Sequence, residues 1–157
     1  MPVYPTTLPA IAWLAFQRSP RSFREDSQRM VRRLSPPPRV EGTLPDLRTG
    51  SWLLVVNHYC RPGFRAGWFA RAISALMPRE ALWVMTSTLT FPDHLRSLTV
   101  TPLSRWFLQR TARLYGFVAM PAMPPRPWEI GERARAVRAA LRLAAQPDPL
   151  LALAPEG

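Results

Sequence analysis

Trp52-Leu53-Leu54-Val55-Val56, followed at once by Asn57-His58, is the stretch that decides how the rest of the chain reads. Five consecutive apolar residues fit a short strand buried on both faces, as inside a parallel sheet; a half-exposed strand would alternate apolar with polar. Similar runs recur downstream: ALWVMT at 81–86, FVAM at 117–120 and LLALA at 150–154. Helical stretches separate them. Residues 64–77 form the first, closed by Pro78. The second, LSRWFLQRTARLY at 103–115, spaces Leu103, Trp106, Phe107, Arg110 and Leu114 by three and four, and Gly116 ends it. The third, 128–145, is rich in alanine and arginine; its periodicity assigns Ile130, Ala134, Val137, Leu141 and Ala144 to the apolar face. Strands alternating with helices build parallel βαβ units. The expected fold class is therefore α/β, a mostly parallel sheet flanked by helices.

Upstream of that region, SFREDSQRMVRRL at 22–34 predicts a polar helix with Ser22 as N-cap and Glu25 completing a capping box. Phe23, Met30, Val31 and Leu34 are its few apolar contacts. The prolines of 35–38 end it, and 39–50 reads as a loop or short strand. Residues 3–16 are apolar but broken by Pro5 and Pro9, and shorter than the roughly 20 residues a bilayer span takes. Two readings of them stand level. One is an interfacial segment, with Trp13 and Phe16 at headgroup level and Arg18, Arg21 and Arg24 behind them. The other is a core helix. The chain divides accordingly into an N-terminal segment, 1–38, and an α/β domain, 39–157. A strand that finishes in Pro155-Glu156-Gly157 has no helix to close it, so the domain is expected to be incomplete at its carboxyl end.

Composition narrows the function without choosing it. With 47% apolar residues in 157, the chain has the material for a folded core. A net charge of +11 fits nucleic acid or an anionic membrane surface. All 21 basic residues are arginine, spread along the whole chain, which weakens the nucleic-acid reading. A single cysteine, Cys60, excludes an internal disulfide and a multi-cysteine zinc site and makes a reducing cytoplasm the default.

In an open parallel sheet, ligands bind beyond the carboxyl ends of the strands. Asn57-His58 follows the first strand, 121–126 the third, and Pro155-Glu156-Gly157 the fourth, so three loops are expected to share one rim. His58 is the natural general base there, or else a buried histidine bonded to backbone. Arg61 and Arg65 flank the Pro62-Gly63 turn, placed for an anionic substrate or for a solvated face. Arg126 has the same two readings. Cys60 as a nucleophile and Asp93-His94 as an acid–base pair are weaker, because residues this close in sequence seldom face one another. Asp93-His94 fits a helix N-terminus or turn better.

Val55-Val56-Asn57-His58 resembles the first block, Asn-His-x4-Asp, of the PlsC-like glycerolipid acyltransferases. Leu153-Ala154-Pro155-Glu156-Gly157 is similar to their third block, Phe-Pro-Glu-Gly-Thr-Arg, cut after the glycine. Tyr115-Gly116-Phe117-Val118-Ala119-Met120 falls where the second block, Gly-x-Ile-Phe-Ile-Asp-Arg, belongs. The likeness covers about residues 50–157, with all three blocks in order. It implies a glycerol-3-phosphate acyltransferase-like fold, and transfer of a fatty acyl group from acyl-CoA or an acyl-carrier thioester to a glycerol phosphate or lysophospholipid hydroxyl. His58 would be the base, with Glu156 beside it. Asn57, Arg61, Arg65, Arg126 and Gly157 would contact substrate. No metal or other cofactor is implied, and the place of action is the inner face of a membrane. The chain departs from the pattern at Gly63, where the family has the aspartate that orients the imidazole, and at Ala122, where it has the phosphate-binding arginine. These departures keep a non-catalytic relative in view, and the charge keeps a nucleic-acid module as the more distant alternative.

Overall fold

The computed structural model describes residues 16–36, 39–57, 66–122 and 126–154. Its elements are α1 (Phe23–Val31), β1 (Trp52–Val55), α2 (Ala66–Leu76), β2 (Leu82–Thr86), α3 (His94–Tyr115), β3 (Val118–Met120), a 3₁₀ turn (Pro127–Glu129), α4 (Ile130–Ala144) and β4 (Leu150–Leu153). The four strands form one all-parallel sheet in the order β1-β4-β2-β3, flanked by helices, so the expected α/β class holds. The chain clusters into two units: residues 21–83 with 143–157, and 84–142 with the segment before Arg21.

The unit that contains β1 and β4 joins the first strand to the last. Trp52 pairs with Leu150 and Val55 with Leu153, and the ladder is extended by Trp52 N–H to Pro149 (2.8 Å) and Val56 N–H to Leu153 (2.9 Å). Leu150, Leu151 and Ala152 are buried. β1 is not, which corrects the expectation of a strand buried on both faces: Leu53 is 59% and Val55 58% exposed. The strand order explains it. β1 lies at the edge of the sheet, while β4, between β1 and β2, takes the interior position.

α1 starts as expected, with the Ser22 hydroxyl accepting from Glu25 N–H at 2.9 Å. It packs on α2, where Ser27 and Ser74 are fully buried and their small side chains allow close approach. Phe23 is buried under the Arg71 guanidinium, 5.1 Å from the ring centroid. Glu80 receives the Ser22 hydroxyl and the Arg24 N–H, while Arg24 Nε donates to the Met77 carbonyl at 2.6 Å. Arg21 forks onto Asp26 at 2.6 and 2.9 Å. Arg21 and Arg24, two of the arginines expected behind an interfacial segment, thus each hold a protein acceptor. Phe16 is exposed, and residues 3–15 of that segment lie outside the described residues.

The amino ends of β1 and β4 are held by one side chain. Arg79 donates through Nε to the Leu47 carbonyl at 2.7 Å and through its terminal nitrogens to the carbonyls of Asp148 and Gly50. Asp148 in turn accepts the Gly50 N–H at 2.7 Å. Gly50 (φ 81°) and Asp148 (φ 51°) both adopt the left-handed conformation this bracket requires. Hydrogen bonds to charged groups are each worth about 1.5–3 kcal/mol net, less where solvent reaches them. Arg79→Met, which keeps the stem and removes the donors, is therefore expected to lower the unfolding free energy by about 2 kcal/mol in urea titration. An unchanged midpoint would mean that water replaces the guanidinium without penalty.

In the other unit, β2 pairs with β3 from Val84↔Val118 to Thr86↔Met120. Between them runs α3, which begins at His94 and not at Leu103 as the periodicity suggested. Asp93 supplies the earlier start: its carboxylate accepts from Arg96 N–H at 2.9 Å, so Asp93 is a helix cap and not half of an acid–base pair. Pro102 sits inside the helix, and Ser104, which accepts from Leu89 N–H at 3.0 Å, ties this stretch to the loop after β2. Asp93→Ala is expected to cost about 1 kcal/mol, read as a drop in melting temperature with loss of helical signal. At the other end Gly116 takes φ 70°, ψ 23°, the left-handed turn expected of it. Only the final turns of α3 are buried, at Ala112, Leu114 and Tyr115. Arg105 and Gln109 reach Glu132 in the first turn of α4, at 2.8 and 3.5 Å.

α4 presents the opposite face from the one its periodicity indicated. Ala136 is buried and Ala139, Ala140 and Leu143 are half-buried, whereas Ile130 (67%), Val137 (43%) and Leu141 (63%) are exposed. Alanine lies on nearly every side of this helix, so apolar spacing does not single out one stripe. Ala136, Ala139 and Ala140 turn inward with Leu143, and Ile130, Val137 and Leu141 turn outward.

Candidate functional site

β1 and β4 end together. With Val55 opposite Leu153 and Val56 N–H bonded to the Leu153 carbonyl, the chain leaves both strands at neighbouring points on the carboxyl edge of the sheet. Asn57, exposed, is the last described residue after β1, and Ala154, half-buried, the last after β4. His58 follows the first in sequence, and Pro155-Glu156 the second. His58, Cys60, Arg61, Gly63, Arg65, Glu156 and Gly157 themselves lie outside the described residues. Of the sequence-predicted site, the structure therefore describes Asn57 and Arg126.

The exit of β3 belongs to the other unit. Pro121 is buried and Ala122 half-buried, and both of their carbonyls accept from Arg133 Nη2, at 3.1 and 3.0 Å. Arg133 Nε is buried and has no hydrogen-bond partner among the described residues. Sequence reasoning passed over Arg133 as one of several arginines on an alanine-rich helix. What sets it apart is its place one turn into α4, on the side that carries buried Ala136. Its guanidinium, supplied from α4, holds the Ala122 carbonyl. Its two bonds to carbonyls fix the turn that follows β3 and leave further N–H groups for an acceptor.

Arg126 is exposed and precedes the 3₁₀ turn, its guanidinium carbon 5.8 Å from the Trp128 ring centroid. Stacking on an indole leaves the edge of the guanidinium free to fork onto an oxyanion. His94 is exposed at the start of α3, beside its capping aspartate. Among the described residues no group of histidine, cysteine and carboxylates is arranged to hold a metal ion, and no helix is long and apolar enough to cross a membrane. No family model, no curated protein and no solved structure matches this chain.

Proposed function

We propose that the chain is an acyltransferase of the PlsC-like type, with that family's version of the α/β fold. In this reading it transfers a fatty acyl group from acyl-CoA or an acyl-carrier thioester to a hydroxyl of glycerol phosphate or a lysophospholipid, at the cytoplasmic surface of a membrane. One observation supports the reading most: β1 and β4, far apart in sequence, are adjacent and parallel and end level with one another. The sequence after each carries one half of the chemistry, Asn57-His58 and Pro155-Glu156.

His58 takes the acceptor's hydroxyl proton as its oxygen attacks the thioester carbonyl. The new C–O bond forms, the C–S bond breaks, and the imidazolium returns its proton to the departing thiolate. The protein needs no covalent intermediate and no cofactor for this. Glu156 orients the imidazole in place of the aspartate that Gly63 replaces. Arg61 and Arg65 bind phosphate, with Asn57 and Gly157 lining the acceptor side; in the other unit Arg126 offers a phosphate contact of its own, and Arg133 shapes the loop after β3.

Gly63 and Ala122 favour one second reading, a non-catalytic relative. Thiol release from acyl-CoA, with and without lysophosphatidate, separates the two. Acceptor-dependent release by the natural chain that disappears in His58→Ala supports catalysis. Equal rates in both proteins overturn it.

A further inference from the structure

Helix α4 has three faces. Ala136, Ala139, Ala140 and Leu143 form the buried or half-buried one. The second is the apolar stripe of Ile130, Ala134, Val137 and Leu141, preceded by Trp128, which is 76% exposed. The third is a row of exposed arginines, Arg135, Arg138 and Arg142, which at 3.6 residues per turn runs alongside that stripe. The one acidic residue of α4, Glu132, is engaged by Arg105. No negative charge therefore opposes the arginine row on its own helix.

A second copy of this face would bring the arginine rows against each other across a two-fold interface, where like charges repel. Nucleic acid would use the arginines but leave Trp128, Ile130 and Leu141 without a partner. An anionic bilayer satisfies both: apolar side chains enter the acyl boundary while guanidinium groups meet lipid phosphates. An indole with a cation beside it, as in Trp128 with Arg126, suits the headgroup level.

We propose that α4 is the lipid-docking element of this protein, lying in the plane of an anionic membrane. Trp128, Ile130, Val137 and Leu141 are inserted, and Arg135, Arg138 and Arg142 sit on the phosphates. This rests on the membrane-surface part of the reading above, and not on acyl transfer.

Flotation of the full chain with phosphatidylcholine vesicles containing phosphatidylglycerol tests it. Ile130→Glu with Leu141→Glu, at positions already exposed, is expected to lower vesicle partition about tenfold or more. Replacing Arg135, Arg138 and Arg142 by Gln is expected to lower capture by anionic vesicles but hardly by pure phosphatidylcholine. Quenching of tryptophan emission by brominated lipid, lower in Trp128→Phe than in the natural chain, gives a readout that does not depend on the fold of the double variant. Capture of natural chain and double variant alike overturns the assignment to α4 while membrane association stands. No capture of the natural chain overturns both. Two further outcomes overturn the proposal: a dimer lost in the double variant with vesicle capture unchanged, and capture of an oligonucleotide that needs the arginines but not Ile130 or Leu141. His58→Ala, which removes the chemistry, is expected to float like the natural chain.

Discussion

Trp83→Ala is expected to lower the unfolding free energy by about 3–5 kcal/mol, the usual range for emptying a large aromatic site in a core. Trp83 lies on β2, is buried, and donates its indole N–H to the Ser74 hydroxyl at 2.9 Å. Ser74 is itself fully buried on α2, so the substitution removes apolar contacts and also orphans a hydroxyl. A domain holds about 5–15 kcal/mol in total, so the loss would show as a large shift of the urea midpoint or failure to fold. Two milder variants separate the terms. Trp83→Phe keeps most of the volume and loses the hydrogen bond, with about 1–3 kcal/mol expected from the stranded Ser74 hydroxyl and the reduced size. Ser74→Ala strands the indole N–H instead and should fall in the same range. Trp83→Ala with an unchanged midpoint would show that β2 and α2 contribute little to the cooperative core.

His58→Ala is expected to reduce acceptor-dependent thiol release by about a thousandfold, within the range a positioned general base contributes. At about 1.4 kcal/mol per decade, that is roughly 4 kcal/mol of transition-state stabilisation. His58→Ala should keep the natural chain's circular dichroism, so that the lost rate reports the chemistry and not the fold. Glu156→Gln separates the orienting role from the chemistry: if Glu156 holds the ring, this variant loses rate without losing affinity for the acceptor. Full activity in Glu156→Gln would pass the orienting role to backbone carbonyls.

The strands were legible because each is an apolar run bounded by turn residues, and the caps because Ser22, Asp93 and Gly116 have side-chain or backbone chemistry that acts within one turn. What escaped depends on distant parts of the chain. An edge strand and an interior strand have the same local sequence, and only the order β1-β4-β2-β3 decides that Leu53 and Val55 face solvent. The buried face of α4 was hidden by its alanines. Around the candidate site, the positions of Asn57 after β1 and of Arg126 in the segment after β3 were readable from sequence order alone. Arg133 was not, since its significance comes from the carbonyls of Pro121 and Ala122, brought to it by the fold.

The pairing of the first strand with the last also sets a schedule for synthesis. Among the described residues β1 pairs with β4 alone, and the bracket that secures it includes a bond spanning 98 positions, Gly50 to Asp148. At about 5–20 residues per second, β1 waits roughly 5–20 seconds after it is made for its neighbour to be translated. Through that interval Leu53 and Val55 stand on an open strand, the form most prone to pair with another nascent chain. Expression yield should therefore depend on translation speed and on holding factors at the ribosome, even where the finished protein is stable.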